Sequence, residues 1–181
     1  RTSPTTIEKM CERMGGELRS NVLFYRLGYA WILYDPGEVA RMRDVVAMHA
    51  LSVPVDPAQT LPANCDVLQE ILHWKTSVAA TAVAAGLDPT RLVYDPGIGF
   101  GKTAGQSLTL MHGAAVLVDS GGRWLFGHSR KSFLKLFTQA EAAQRDDLTL
   151  AFSAQLADAG VHIVRVHAVG RHVRLFEQLC A

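Results

Sequence analysis

The chain has little of several features that mark large protein classes. Its three cysteines, Cys11, Cys65 and Cys180, are odd in number, far apart and never in a Cys-x-x-Cys pair. This pattern argues against a disulfide framework and against a zinc knuckle. No apolar run approaches the roughly 18 residues that a membrane helix needs, and the first residues carry no hydrophobic signal core. We therefore expect a protein of the reducing cytoplasm without a membrane partner.

The chain also lacks a net charge of either sign. Its 18 Lys and Arg residues nearly balance its 17 Asp and Glu residues, for a net charge of +1. A balance of this kind gives no global attraction to a polyanion, so we expect no nucleic-acid partner. Hydrophobic residues make up 49% of the 181 residues, which excludes a disordered chain. The length predicts one domain over residues 1–181.

What the chain does have is an alternation of short apolar runs with longer helical patterns. This alternation is typical of an α/β protein with a parallel sheet. Asn64 is predicted to cap the clearest helix. Residues 21–28 fit neither pattern, 35–37 predict a turn, and the strand–helix unit near Ala30 is weaker than the other four. The predicted strands cover residues 29–34, 45–49, 91–95, 124–127 and 161–167, and the predicted helices cover 6–14, 38–43, 65–85, 107–118, 141–159 and 170–179.

Polar residues follow the strands, where α/β proteins place their active sites. The run after residue 94 is rich in glycine, which allows a backbone to approach a ligand closely. It is not a P-loop, because Pro96 stands where the first glycine is needed, and Lys102 breaks a dinucleotide fingerprint. Asp95 offers two acceptors to a planar pair of N–H donors, such as a guanidine-like heterocycle. The run is Asp95-Pro96-Gly97-Ile98-Gly99-Phe100-Gly101-Lys102-Thr103.

Two further segments have the chemistry of an anion site. Residues 129–132, Ser-Arg-Lys-Ser, combine free N–H groups at a helix start with the point charge of Lys131. A solvated basic loop is the alternative. On the last strand, alternation sends Arg165 and His167 to one face, which suits a phosphate or pyrophosphate. Pairing of Arg165 with a structural carboxylate is the alternative. Met48 and His49 end another strand, where such residues more often fill a core.

A protein-built zinc site is not expected, because the histidines show no metal-binding spacing. Any metal would be Mg²⁺ carried largely by a phosphorylated ligand. No metal-ligating residue is assigned.

Taken together, these segments resemble dihydropteroate synthases, the folate-pathway enzymes. The resemblance covers about residues 45–180 in order and spacing, whereas residues 1–44 diverge. It implies a (β/α)8 barrel, of which about strands 4–8 are recognisable. The matching runs are residues 95–103, 127–133 and 163–167, with 46–49 agreeing in place.

The resemblance also implies the chemistry and the site. The family joins p-aminobenzoate to a pterin that carries a CH2-pyrophosphate and releases pyrophosphate, with Mg²⁺ beside the leaving group. The substrates would be the partners, together with a second copy of the chain in a homodimer. By resemblance, Asp95 and Met48 contact the pterin, and Gly99 is a further substrate-binding residue. Phe100, Ser132 and Lys131 line the p-aminobenzoate pocket, and Lys131 also contacts the pterin. Arg165 and His167 bind the pyrophosphate. The resemblance implies that Lys131, Arg165 and His167 are the catalytic residues.

The chain departs from the family in its first part. A barrel of this type needs about 250 residues, and the loops of the family's first strands have no counterpart here. We therefore expect weak pterin binding and little or no product from this chain alone. Two other interpretations stay open: a catalytically impaired pterin-binding paralogue, and a pterin-dependent methyltransferase domain that shares the barrel.

Overall fold

The computed structural model describes residues 23–27, 30–34, 44–53, 55–84 and 87–179, with the backbone alone for 23–34. The predicted helices over 6–14 and 38–43 and the turn at 35–37 lie outside these residues.

A six-stranded sheet in sequence order organises the described residues. From β3 to β6 the strands are parallel, as the alternation of strands and helices predicted. The strands are β1 (Leu23–Leu27), β2 (Ala30–Tyr34), β3 (Val45–His49), β4 (Leu92–Asp95), β5 (Arg123–Phe126) and β6 (Ile163–Val164).

The structure differs from the prediction at the unit near Ala30. There β1 and β2 form an antiparallel pair, and β2 also runs antiparallel to β3. Only ten residues separate Tyr34 from Val45, fewer than the dozen or more that a parallel crossover needs. The strand was predicted correctly, but the β/α unit around it was not.

Helices cover one face of the parallel strands. Their bounds are α1 (Val67–Ala84), α2 (Ala104–His112), α3 (Ala114–Asp119), α4 (Asp146–Asp158) and α5 (Val169–Leu179).

Two helix starts correct the sequence prediction. Helix α1 begins later than expected, because the Asp66 carboxylate, not Asn64, accepts from the N–H groups of Leu68 and Gln69 at 3.1 and 3.2 Å. The helix predicted from residue 107 begins at Ala104, after a capping box between Thr103 and Gln106.

Three other elements differ in extent. The single helix predicted over 107–118 is divided at Gly113 into α2 and α3. The first turn predicted for 141–159 is a 3-10 helix, Ala142–Gln144, before α4. The strand predicted over 161–167 shortens to β6, although the Arg165 N–H still donates to the Phe126 carbonyl at 3.0 Å.

The core lies between the sheet and the helices. Trp74 of α1 meets the Tyr94 ring edge-on, with ring centroids 6.1 Å apart, and Tyr94 contacts Trp124 at 5.5 Å. Phe126 and Leu110 are also fully buried in this cluster. Burying these large apolar side chains is the main stabilising term, and it fixes the strand ends that carry the polar residues. Each helix among the described residues is too short or too polar to cross a bilayer.

Candidate active site

The carboxyl ends of the parallel strands meet at one edge of the sheet. In the β3–β4 register Met48 lies opposite Asp95, and Arg165 follows β6 directly. The parallel order therefore brings residues from three distant segments together, as active sites of α/β proteins require.

Asp95 is the buried acid of this edge, with 1% of its side chain exposed. Its Oδ1 accepts from the Gly97 N–H at 2.8 Å, and its Oδ2 lies 3.5 Å from the Arg165 guanidinium. Burial raises the pKa of the Asp95 carboxyl, while the Gly97 N–H and nearby cations act in the opposite direction. A carboxylate with spare lone pairs and few water neighbours is suited to accept N–H groups of a ligand.

The loop after Asp95 requires glycine at specific positions. Gly97, Gly99 and Gly101 all have positive φ, between 66° and 78°. A Cβ on Gly97 would lie 1.8 Å from the His49 carbonyl oxygen, so the loop passes directly over the end of β3. The glycines let the backbone fold tightly around Asp95.

A buried lysine lies beneath the same loop. The Lys102 ammonium donates to the Phe100 and Gly97 carbonyls at 3.0 and 3.1 Å and to His49 Nδ1 at 2.8 Å. Burial lowers the pKa of Lys102 to about 7, although Asp95 and Glu70 favour its charge. Burial likewise lowers the pKa of His49 to about 3, assisted by the Lys102 charge.

Lys131 and Phe100 form a pair at the mouth of the site. The Lys131 ammonium lies 4.2 Å from the centre of the Phe100 ring, within the range of a cation–π interaction. A Cβ on Gly99 would lie 3.6 Å from Lys131 Cδ, so the stem of Lys131 packs along the glycine loop. Burial and the Arg165 charge lower the pKa of Lys131, against the effect of Asp95.

Arg165 reaches Asp95 across the end of β5. Its guanidinium passes over Gly127, where a Cβ would lie 2.5 Å from Arg165 Nη2. The Arg165 side chain is 60% exposed, so one side of the guanidinium stays open to a ligand.

Ser129 joins the last two strand ends. Its hydroxyl lies 2.9 Å from His167 Nδ1, and it also accepts from the His167 N–H at 3.3 Å. The neighbouring Arg130 has a φ of 59°. It forms a bidentate ion pair with Asp146, with N–O distances of 2.8 and 2.9 Å. This ion pair holds Arg130 in a left-handed backbone conformation that residues other than glycine rarely adopt.

A chain of buried histidines supports this loop from below. His128 Nε2 and His172 Nε2 both lie 2.9 Å from the Ser153 hydroxyl. Burial lowers the pKa of His128 to about 4, although backbone acceptors favour its charge. The network links the end of β5 to α4 and α5.

The structure thus brings most of the predicted site residues together. Asp95 and Arg165 touch, Lys131 and Phe100 form a pair, Gly99 packs beside Lys131, Met48 borders Asp95 in register, and His167 lies on Ser129. Ser132 is exposed at the start of a 3-10 helix, Ser132–Leu136.

Three contributors were not assigned roles from the sequence: Lys102, Gly127 and Ser129. Lys102 had a usable signal, because it is the one cation inside the glycine-rich run. The partners of Gly127 and Ser129 are 38 residues away in the chain, and no local pattern reveals them.

The described residues include no group of three or more His, Cys, Asp or Glu side chains that could hold a metal ion. Asp95 is the only buried carboxylate in the part of the chain that the structure describes, and it is paired with Arg165 and the Gly97 N–H.

Comparison with known proteins agrees with this geometry. Residues 39–167, more than half of the chain, match the family model described as pterin binding enzyme. The chain is 34% identical over 143 residues to the folate synthesis bifunctional protein of Chlamydia caviae, covering 78% of this chain and 32% of that protein. It is 36% identical over 144 residues to dihydropteroate synthase of Neisseria meningitidis serogroup C, covering 76% and 50%.

Solved structures show the same similarity. Dihydropteroate synthase of Anaplasma phagocytophilum with bound 6-hydroxymethylpterin-monophosphate superposes with a TM-score of 0.71 at 31% identity, covering 78% of this chain and 57% of that one. The Xanthomonas albilineans enzyme with 4-aminobenzoic acid gives 0.67 at 28% identity, covering 80% and 53%. The match confirms the predicted barrel-type α/β fold.

The chain spans half or less of the length of these curated relatives. The family model, the synthase relatives and the barrel structures agree with the motifs at residues 95–103 and 127–133. The chain therefore belongs to the pterin-binding enzyme family, and its similarity within that family is to dihydropteroate synthases.

Proposed function

We propose that the chain is a dihydropteroate synthase-type transferase. The amine nitrogen of p-aminobenzoate bonds to the methylene carbon of 6-hydroxymethyl-dihydropterin pyrophosphate. The carbon–oxygen bond to pyrophosphate breaks, and pyrophosphate leaves with the electron pair. The amine nitrogen releases one proton, which pyrophosphate or water accepts. The observation that carries the proposal is the meeting of Asp95, Lys131 and Arg165, one buried acid and two cations, at the ends of three parallel strands.

Asp95 supplies the pterin pocket. Both of its oxygens keep a lone pair after the contacts with Gly97 and Arg165, enough to accept two ring N–H groups. Its burial removes competing water, which strengthens such charged hydrogen bonds. Met48, beside it in register, and the open backbone at Gly99 line the ring.

Lys131, Phe100 and Ser132 line the p-aminobenzoate pocket. The aryl amine is a neutral nucleophile, so it mainly needs to be positioned close to the methylene carbon. The Lys131 ammonium above the Phe100 ring places a positive charge where the p-aminobenzoate carboxylate needs a partner.

Arg165 and His167 hold the pyrophosphate. Negative charge develops on the leaving oxygen as the carbon–oxygen bond breaks, and a preorganised cation lowers that barrier. Arg165 is half-open to solvent and can turn its free N–H groups to phosphate oxygens. Ser129 orients His167 through Nδ1, which directs Nε2 outward.

Mg²⁺ remains a proposed component that arrives with the pyrophosphate. The described side chains do not offer a group of metal ligands, so we derive no step through the ion. When bound, it would neutralise pyrophosphate charge.

Calorimetric titration tests the ligand class. The protein is titrated with 6-hydroxymethylpterin, with and without pyrophosphate, and then with p-aminobenzoate. We expect weak pterin binding that pyrophosphate strengthens, and little or no product. An absence of heat and of thermal stabilisation would overturn the pterin assignment. Asp119→Asn on the exposed end of α3 is the matched control for later carboxylate variants.

A product assay separates the transferase from a second candidate, pterin binding without turnover. Rapid formation of dihydropteroate on addition of p-aminobenzoate and Mg²⁺ would exclude it.

We further propose that the protein works as a cytoplasmic homodimer. Within the described part of the sheet, β6 is a terminal strand, and such an edge favours pairing with another chain. Beside it lies a cavity of about 440 Å³ lined by Leu125, Ile163, Val173 and Phe176 among others. Light scattering should give twice the chain mass, and a single monomeric species would overturn the dimer.

A further inference from the structure

Lys102 is the charged group that the proposed chemistry leaves without a task. Its side chain is buried beneath the glycine loop, with 7% of the residue exposed. Burying an ammonium is costly unless its donors are satisfied. A lysine at this position must therefore make contacts that a hydrophobic side chain could not make.

The Lys102 ammonium has one close acceptor for each of its N–H donors. An ammonium has three N–H donors. Three close acceptors surround it: the Gly97 and Phe100 carbonyls and His49 Nδ1, with the His49 carbonyl more distant at 3.4 Å. His49 Nδ1 accepts only if the ring proton is on Nε2, the atom that lies 3.9 Å from the Glu70 carboxylate.

These contacts join the two halves of the site. Gly97 donates its N–H to Asp95, so the Gly97 contact of Lys102 fixes the residue that holds the acid. Phe100 carries the ring under Lys131, so the Phe100 contact fixes the other pocket. His49 anchors the whole arrangement to β3.

We propose that Lys102 is a positioning residue that ties the loop over residues 97–101 to β3 and so sets the pterin and p-aminobenzoate pockets together. The proposal rests on the proposed function for its ligands. It goes further in assigning the geometry of both pockets to one buried ammonium that touches neither substrate.

Protonation of Lys102 makes this role sensitive to pH. Its pKa is lowered to about 7, mainly by burial, so the three-donor form is lost as the pH rises through neutrality. The groups facing it are His49 from β3, Glu70 from α1, Asp95 from β4 and Lys131 from the loop after β5. His49 stays neutral over this range because its pKa is about 3.

The first test needs no ligand. Amide hydrogen exchange of the peptide covering residues 96–103 is compared between the wild-type chain and Lys102→Met at one pH. We expect exchange to be about tenfold faster in the variant, because the loop loses its anchor. Lys135→Met, which removes an exposed lysine, is the matched control and should leave this peptide unchanged. Equal exchange in Lys102→Met and wild type would overturn the proposal.

The second test measures the pH profile of pterin affinity between pH 6 and 8.5. Wild-type affinity should fall about tenfold on the alkaline side, following loss of one proton. Lys102→Arg should abolish that fall, because a guanidinium does not titrate there, whereas Lys131→Arg should keep it. Ligand titration affects all variants equally. A fall that survives in Lys102→Arg, or is missing from the wild type, would overturn the role.

Failure of the Lys102 proposal can be distinguished from failure of the proposed function. A wild-type chain that binds no pterin at any pH refutes the proposed function, while hydrogen exchange still decides whether Lys102 holds the loop. If Lys102→Met does not fold, the pH profiles of the wild type, Lys102→Arg and Lys131→Arg decide instead. A purely structural role would change stability but would leave the shape of the pH profile unaltered.

Discussion

The two walls of the site are built in opposite ways. The acid wall is Asp95 with the glycine loop over residues 97–101 and Lys102 beneath it, and most of its residues are buried. The cation wall is Ser129, Lys131, Arg165 and His167. The Asp95 side chain is 1% exposed, whereas that of Arg165 is 60% exposed.

This difference separates recognition from catalysis. The acid wall is fixed before a ligand arrives, so a flat ring can bind without ordering the protein. The exposed Arg165 guanidinium of the cation wall can follow a phosphate group as its charge changes. Substitutions in the glycine loop should therefore damage folding and ring affinity, and a substitution at Asp95 should damage ring affinity. A change beside Arg165 should damage phosphate binding.

The largest effect is expected from Gly97→Ala. The new Cβ would lie 1.8 Å from the His49 carbonyl at a φ of 68°, so the loop must leave β3. We expect a loss of about 3 kcal/mol or more in the free energy of unfolding, with loss of pterin binding. Gly121→Ala has a φ of 81° but meets nothing within 4 Å. Equal losses for the two variants, in chemical denaturation, would show that the close approach is unimportant.

Asp95→Asn should separate affinity from stability. Loss of one charged hydrogen-bond partner typically costs about 1.5–3 kcal/mol, or roughly 10- to 150-fold in affinity for 6-hydroxymethylpterin. The melting temperature should not fall, since burial disfavours the charged carboxylate that is removed. Calorimetry checks the first result and thermal unfolding the second. Unchanged affinity would show that the ring binds elsewhere.

Acid should destabilise both walls through the buried histidines that support them, His49 beneath the acid wall and His128 beneath the cation wall. His49 and His128 have pKa values of about 3 and about 4 in the folded chain, against about 6.5 when unfolded. Between pH 6.5 and 4 the unfolded chain binds more protons, so stability falls as the pH falls.

The slope of the free energy of unfolding should reach up to about 1.4 kcal/mol per pH unit for each histidine. His128→Gln should remove the contribution of His128 to this slope and leave the contribution of His49 unchanged. Urea denaturation at several pH values measures both slopes. An unaltered slope in His128→Gln would contradict the assignment.

The smallest effect is expected from Gly127→Ala. Its Cβ would lie 2.5 Å from Arg165 Nη2, but this exposed side chain can move aside. Affinity for the pterin pyrophosphate should fall about 5-fold, near 1 kcal/mol, while affinity for the unphosphorylated pterin stays constant. Gly105→Ala, whose nearest neighbour is Thr103 Oγ1 at 3.9 Å, is the control. A parallel loss for both ligands would show that the walls are not independent.

The sequence predicted the parallel strands well because their signals are local. A buried apolar run such as residues 92–95, followed by glycine and polar residues, marks a strand end whatever the rest of the chain does. The family and the barrel-type fold followed from the same runs and were confirmed. The antiparallel pairing of β2 was not predicted, because strand direction depends on which neighbour is available.

For the site, residue types were predictable but their contacts were not. Asp95, Lys131 and Arg165 were predicted from composition at strand ends and from the resemblance, and they converge. The role of Lys102 was missed, because its His49 partner is 53 residues away. The roles of the site residues, the magnesium ion, the homodimer and the cytoplasmic location stay predictions.

The sequence alone determined the alternation of parallel strands and helices after residue 45, the place of the glycine run and the family. Those features depend on residues that are close in sequence, because hydrophobic periodicity and backbone preference are local properties. Only the tertiary structure decided that Lys102 is a buried ammonium with a pKa near 7, that Gly127 makes room for Arg165, and that Ser129 holds His167. Protonation and side-chain pairing depend on local solvent exclusion and charge, and packing of distant segments creates both.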